Sequence, residues 1–367
     1  MILTSEQELF KASLASFLSQ KLPLAELRAL HSQPLEMAYD KEAWRQLAAL
    51  GVTSMTVPAT LGGAEFGWLG VGAVAQEMGR RLSATPLLSS VVLAQGALMQ
   101  CASAVQIDRY LPALINGDEV WTVAFEERTH FSPESVLTTM TEQGFRGRKC
   151  MVFDGAAADR ILVTARNISG DWGLLLVDAN APGITQTPAR LMDGRQYVAF
   201  EFTDVPESSG EWLAGDTPEV GWAQVLNNAI VISASEMLGS ARELCERTVK
   251  YLKEREQFDV KIGSFQALQH RAAHMYSELE LSQAAVDAAL VSFDSGQGDQ
   301  GALASAAKAL ANGCFQLISD EAVQMHGGMG VTDELDIGLF LKRSRVCNRL
   351  LGDAHWHRLR YADRLGF

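Results

Sequence analysis

Two short clusters in the C-terminal half carry the residue types best suited to hold a charged ligand. The first is Tyr251-Leu-Lys-Glu-Arg-Glu-Gln-Phe258, followed by Lys261-Ile-Gly-Ser-Phe-Gln266. An arginine at the end of a long helix can pair bidentately with a phosphate through its planar fork of donors. It can equally complement the negative end of the helix dipole. The second cluster is Gln324-Met-His-Gly-Gly-Met-Gly330, with Thr332 and Glu334 beyond it. Three glycines in four positions let the backbone pass close to a ligand and leave N–H groups for an anion. They also suit a helix C-cap and turn. The spacing is not GxGxxG, and it follows a helical pattern, not a strand.

Other chemistries find less support. The seven histidines are His31, His130, His270, His274, His326, His355 and His357. His270 and His274 share a helix face at ligand-compatible spacing, but no glutamate follows His270 and no third ligand is evident. His355 and His357 cannot share one face. GxSxG, P-loop and paired metal-carboxylate patterns are absent, so hydrolase, kinase and metal-centre readings lack support. The five cysteines, Cys101, Cys150, Cys245, Cys314 and Cys347, are scattered and show no CxxC spacing. That argues for buried free thiols in a reducing cytoplasm. The net charge is −13, which disfavours a nucleic-acid partner. Asp336 to Phe367 runs against this balance, with seven Lys or Arg and three Asp. A solvated helix face, a phosphate-rich ligand or an acidic partner would each use it. The N-terminus lacks a basic segment before an apolar run, and no stretch of about 18 uncharged apolar residues occurs, so neither a signal peptide nor a membrane span is expected.

The elements that must position these clusters follow from periodicity. Hydrophobic residues are 47% of the 367-residue chain, ordinary for a globular protein of two or three domains. Residues 1–117 read as helical: Ser5 and Glu8 have capping-box spacing, further helices centre on Trp44 and Leu47 and span about Leu69–Arg81, Leu87–Cys101 and Ile107–Ile115. Residues 118–218 read as short strands: Val120–Phe125, Ser135–Thr141, Cys150–Phe153, Arg160–Thr164, Gly173–Asp178 and Tyr197–Phe202. Their connections are too short for helical crossovers, so the unit is expected to be antiparallel. Residues 219–367 read as long helices, Trp222–Arg255, Phe265–Ser295, Gln300–His326 and Glu334–Leu365 with a break near Gly352. Short loops between them predict an antiparallel bundle. The expected class is an α+β multidomain chain: a helical N-terminal domain, a middle antiparallel β domain and a C-terminal four-helix bundle.

With both clusters in this order and spacing, the chain resembles the acyl-CoA dehydrogenase family. The matching stretches are Glu254-Arg-Glu-Gln-Phe258 with Ile262-Gly-Ser-Phe-Gln-Ala-Leu-Gln-His270, and Gln324-Met-His-Gly-Gly-Met-Gly-Val-Thr332. Looser matches are Leu50-Gly51, Val57-Pro58, Gly62-Gly63, Gln76-Glu-Met-Gly-Arg80, Ala158-Asp159 and Leu162-Val-Thr-Ala-Arg166. The resemblance implies FAD as cofactor and dehydrogenation of an acyl-CoA thioester to the 2,3-enoyl-CoA. A carboxylate takes the α-proton, the β-hydride goes to the flavin, and an electron-transfer flavoprotein re-oxidises it. It implies cofactor contacts at Arg255, Gln257, Phe258, Gln324, Gly327 and Gly328, reaching across a tetramer, and a cytoplasmic location.

Four departures from the family pattern stand out. The family's base is usually a Glu in a Tyr-Glu-Gly-Thr-like stretch; here the region reads Arg349-Leu-Leu-Gly-Asp-Ala-His355, with Gly352 at the Glu position and Asp353 beside it. The alternative position on the first bundle helix falls on Ala229, with Glu236 two turns further, about 10 Å along the axis. The flavin and substrate loop Thr-Glu-Pro…Gly-Ser is replaced by Phe125-Glu-Glu-Arg-Thr-His-Phe-Ser-Pro-Glu-Ser135. Asp259 stands where a Gly normally follows the Phe. Asp353, or less readily Glu236, is then the candidate base of a dehydrogenase. The alternative is a base-lacking subunit, like those of heterotetrameric steroid and side-chain acyl-CoA dehydrogenases, partnered by a Glu-bearing relative. An oxidase- or monooxygenase-type relative on the same fold is a third reading.

Overall fold

A computed structural model describes residues 3–30, 32–35 and 37–367. His31 lies outside the described residues. The N-terminal helices are α1 (Ser5–Lys21), α2 (Leu24–Leu30), α3 (Lys41–Ala49), α4 (Gly67–Arg80), α5 (Gln95–Cys101) and α6 (Ala104–Ile115). Strands follow: β1 (Trp121–Ala124), β2 (Thr139–Thr141), β3 (Gly144–Phe153), β4 (Arg160–Arg166), β5 (Trp172–Asp178), β6 (Ile184–Arg190), β7 (Gln196–Val205) and β8 (Gly210–Trp212). The 37-residue helix α7 (Pro218–Glu254) leads into the ribbon β9 (Glu256–Gln257) and β10 (Val260–Lys261). The chain ends with α8 (Gln266–Ser295), α9 (Gln300–His326), α10 (Ile337–Cys347) and α11 (Ala354–Arg364).

The chain thus runs from helices through a sheet to long helices. By contact density it groups into two compact units: residues 1–27, 67–83 and 230–367, and residues 28–66 and 84–229. In the first unit the clearest determinant of packing is a pair of glycines. A Cβ on Gly79 would lie 2.0 Å from the Glu236 carbonyl oxygen, and one on Gly239 2.0 Å from that of Gln76. Helices α4 and α7 therefore approach backbone to backbone. Arg80 pins the crossing through Glu243 at 2.9 Å.

In the second unit the sheet order is β6-β7-β3-β2-β4-β5-β8, with β1 paired to β4. Its core is Phe145, Val163, Leu175, Val177, Phe200, Phe202 and their neighbours, all buried. Several expectations are refined here. Most pairings are antiparallel, but β1 runs parallel to β4 over Trp121–Ala124, and β2 meets β4 in parallel at Thr139. These neighbours are not consecutive in sequence: the β2–β3 hairpin intervenes between β1 and β4, and β3 between β2 and β4, making the crossovers that short loops alone could not. Strand β6 escapes the alternation reading because it is a half-exposed edge strand with Pro188 inside it. The expected helix over Leu87–Cys101 is wide (i→i+5) through Leu87–Ala94 and becomes α only from Gln95. The capping box of α1 is Thr4 with Gln7, one residue before the expected Ser5 and Glu8.

Candidate functional site

The two sequence clusters meet at one end of the helical unit. Helix α7 closes with Arg255 N–H donating to Tyr251 O at 2.8 Å, and α9 closes with Gly327 N–H donating to Gln324 O. Between them the rings of Tyr251 and His326 stack, centroids 4.2 Å apart and planes at 26°. His326 Nδ1 lies 2.7 Å from Ala322 O, so Nδ1 carries the proton and the ring is tied to its own helix. Burial lowers its pKa.

The residues around this stack are uncommitted within the chain. Arg255 is exposed and makes no ion pair or side-chain hydrogen bond among the described residues; nor does the exposed Gln324 side chain. Gly327 has φ 60° and ψ −142°, a conformation for which glycine is suited. Gly328 has no such constraint, and a Cβ there would meet nothing within 4 Å. The chain's own packing therefore gives no reason for glycine at 328, whereas a surface that another molecule must approach closely does. Past Arg255 the ribbon turns at Phe258 and Asp259, with φ of 57° and 61°. Two consecutive left-handed residues define a type I′ hairpin, where Asp is tolerated and Phe is not favoured. Phe258 is nonetheless presented outward, 86% exposed, its ring T-shaped to Phe265 with centroids 6.2 Å apart. Gln257 donates to Glu256 O at 2.7 Å, and Lys261 braces the ribbon on Glu256 at 2.6 Å.

The candidate bases are placed differently. Asp353 is the N-cap of α11: its carboxylate accepts from Trp356 N–H at 2.9 Å and faces Arg349 at 3.6 Å. Glu236 pairs with Arg343 at 2.9 Å, both side chains largely buried. Ala229 is fully buried and bears no acid. At Gly352, φ is 97°, and a Cβ would lie 2.8 Å from His357 Nε2 and 3.0 Å from Trp356 Cε3. Gly352 itself bears no carboxylate, and the neighbouring acid, Asp353, is engaged as the α11 cap.

A polar network that the sequence does not announce fixes this turn from beneath. Lys308 is fully buried and donates to Asn312 Oδ1 at 2.7 Å and Cys347 O at 2.9 Å. Asn312 donates to Gly352 O at 3.4 Å, and His357 Nε2 bonds Leu351 O at 2.8 Å. Desolvation lowers the Lys308 pKa to about 8 and that of His357 to about 3. A lone lysine in an Ala-rich helix gives no sequence sign of this role. Most of the basic C-terminal stretch is paired: Arg343 with Glu236, Arg345 with Asp320, Arg349 with Asp353 and Arg364 with Asp299 at 2.8 Å. Arg345, Arg349 and Arg358 line a cleft of about 570 Å³ with Asn312, Asp353 and His355.

In the sheet unit, Glu127 closes the loop that departs from the family pattern. Its carboxylate accepts from Leu137 N–H at 2.6 Å, Thr138 N–H at 2.9 Å and the fully buried Lys149 ammonium at 2.6 Å. Desolvation lowers the Lys149 pKa to about 8. The adjacent Glu126 is 7% exposed, has no side-chain partner among the described residues, and is pushed up to about 8 by burial. Of the histidines, His270 and His274 are exposed, and His274 faces Glu278 at 3.6 Å. Among the described residues no group of three or more His, Cys, Asp or Glu is placed to hold a metal, and no helix is long and apolar enough to cross a membrane.

Comparison with known proteins decides the family. Residues 4–118 match the acyl-CoA dehydrogenase N-terminal domain, and residues 222–366 the acyl-CoA dehydrogenase C-terminal domain. The chain is 32% identical to acyl-CoA dehydrogenase FadE27 of Mycobacterium tuberculosis, over 87% of each chain. It belongs to the acyl-CoA dehydrogenase family. Among solved structures it is similar to a variant of the Tcur3481-Tcur3483 steroid acyl-CoA dehydrogenase, with TM-score 0.88 and 28% identity, covering 98% of this chain and 97% of that one. It is also similar to the ChsE4-ChsE5 complex of M. tuberculosis, with TM-score 0.88 and 26% identity, covering 99% and 98%. The chain is thus an oxidoreductase of the acyl-CoA dehydrogenase family.

Proposed function

We propose that this chain is the base-lacking subunit of a hetero-oligomeric acyl-CoA dehydrogenase, supplying a cofactor-binding edge to a site whose base lies on a Glu-bearing relative. The observation that carries the reading is the turn at Leu351-Gly352. It bears no carboxylate, and His357 and Trp356 occupy the space a side chain on Gly352 would need. Asp353 and Glu236 are held by a helix cap and by Arg343. The similarity to two structures named as two-component proteins accords with this.

The uncommitted residues fit FAD. Arg255 would pair with the pyrophosphate, Gln324 and the open backbone at Gly327–Gly328 would meet the adenine end, and Gln257 and Phe258 would flank them. When bound, FAD supplies the acceptor for the hydride leaving the acyl β-carbon. The α-proton goes to the relative's carboxylate, so a saturated acyl-CoA becomes a 2,3-enoyl-CoA. Loss of a general base costs roughly 10²–10⁴-fold in rate, too much for this chain to act efficiently alone. A bulky, ring-containing acyl group, an electron-transfer flavoprotein as re-oxidant and a cytoplasmic location complete the proposal.

A second reading rests on Asp353, which lines the basic cleft and is the acid closest in sequence to the family position. It would make the chain a self-sufficient dehydrogenase. The visible spectrum of the chain purified alone, before and after anaerobic addition of a panel of acyl-CoAs, separates the two. The proposal expects no bleaching alone and bleaching after co-expression with the Glu-bearing relative. A flavin band bleached in the chain alone overturns it.

A further inference from the structure

The Tyr251–His326 stack is the contact that joins the two clusters. Tyr251 sits one helical turn, about 6 Å, before Arg255. His326 lies between Gln324 and Gly327 on the last turn of α9. The His326 ring is anchored on its own helix, its Nδ1 bonding Ala322 O at 2.7 Å, while on α7 the main-chain carbonyl of Tyr251 accepts from Arg255 N–H at 2.8 Å and ties the two residues in one turn. The neutral imidazole lies nearly parallel to the phenol, 4.2 Å away, and is only 6% exposed. Among the described residues Arg255 and Gln324 themselves have no side-chain partners to hold them. Their relative placement is set from the backbone, and the aromatic stack is a contact that links the two helix ends.

We infer that Tyr251 and His326 are positioning residues, setting the arginine at the end of α7 against the Gln324–Gly328 turn so that both engage one nucleotide. This rests on the proposed FAD edge. An aromatic ring at 326 is what the role requires; the imidazole nitrogens, the anchor to Ala322 included, are dispensable for it.

The test uses the flavin-stripped protein in the oligomer in which it purifies, titrated with FAD and followed by flavin fluorescence quenching. His326→Ala is expected to weaken FAD binding roughly three- to tenfold, the worth of a lost aromatic pair. His326→Phe, which keeps the stack, is expected to stay within about twofold of the parent. A role in folding alone would lower the melting temperature of the stripped protein without moving the FAD affinity. Wild-type affinity in His326→Ala, alongside weakened binding in Arg255→Ala, overturns the positioning role and leaves the edge standing. His326→Phe as weak as His326→Ala also overturns it. Unchanged affinity in Arg255→Ala overturns both. Should His326→Ala not fold, Tyr251→Leu is read in the same way.

Discussion

Gly352→Ala is the sharpest probe of the packing argument behind the proposed base-lacking reading. The perturbation adds one methyl group at a residue with φ 97°. Two costs follow. A left-handed conformation costs a non-glycine residue about 1–2 kcal/mol. The methyl would lie 2.8 Å from His357 Nε2 and 3.0 Å from Trp356 Cε3. His357 cannot easily yield, because it is fully buried, bonded to Leu351 O at 2.8 Å, and within 3.4 Å of Ser305 Oγ. Overpacking of this kind costs about 1–3 kcal/mol, so the total is about 2–5 kcal/mol. At roughly 2 °C per kcal/mol for a long chain, the melting temperature falls by about 4–10 °C. Thermal unfolding followed by circular dichroism measures this. Gly352→Glu adds a longer side chain to the same clash and is expected to be no more stable, and to leave the chain unable to bleach flavin with acyl-CoA on its own. A Gly352→Ala melting temperature within about 1 °C of the parent would show that the turn has room for a side chain. The structural argument for a lost base position would then be refuted.

Four further outcomes are expected. Arg255→Ala lowers the flavin content of the purified complex, read from the ratio of visible to ultraviolet absorbance, by about tenfold or more as a charge-assisted contact is lost. Asp353→Asn retains activity in the complex because asparagine also caps helices, whereas Asp353→Ala costs about 1 kcal/mol of stability by denaturant unfolding. Glu126→Gln gains stability relative to the parent as pH rises. The folded pKa near 8 lies above the unfolded value, so the parent is favoured below pH 4.5 and loses up to about 4–5 kcal/mol between there and pH 8. His357→Gln flattens acid sensitivity. The folded pKa near 3 lies below the unfolded 6.5, so the parent loses stability only as pH falls between those values. Denaturant unfolding at pH 4, 6.5 and 9 reads both titrations.

The overall order of helices, strands and long helices was legible because each segment's hydrophobic period agrees with its final state. Helix α9 runs over Gln300–His326, as the pattern predicts, and the break near Gly352 separates α10 from α11. What the period missed has local causes. Strand β6 is an edge with Pro188 in it and no fully buried face. The wide turn at Leu87–Ala94 is buried on nearly all sides, Ser89 and Ser90 included, so its pattern does not distinguish it from an α-helix. The parallel pairing of β1 with β4 joins strands far apart in sequence, and register at that range leaves no local mark. The capping box moved by one residue because Thr4-Ser5 offers two hydroxyls in sequence, and only tertiary context chooses between them.

The candidate site divides along the same line. Arg255, Gln324 and the glycines could be picked out because a ligand-facing residue need satisfy nothing else in the chain, and its type then stands out against the helical pattern. The residues that hold them could not. Tyr251 and His326 read as ordinary helix-end residues, and Lys308 as one charge in an alanine-rich segment, until the fold brings their partners within 4.2 Å, 2.7 Å and 2.9 Å. The absence of a base illustrates the converse. Gly352 was visible in the sequence as a missing acid, but a missing acid alone does not distinguish a displaced base from a lost one. The packing of His357 and Trp356 over that glycine removes the space a side chain at 352 would need, which supports the proposed base-lacking reading. A site that had merely moved its carboxylate would have no reason to fill the vacated volume with a buried imidazole whose pKa is driven down to about 3. Burial of that ring is costly in its protonated form, and it is tolerated here because the ring's hydrogen bond to Leu351 O fixes the turn. The turn therefore has no room for a side chain at 352, and its neighbouring acid, Asp353, is engaged as a helix cap, which accords with the proposed subunit that completes a partner's site.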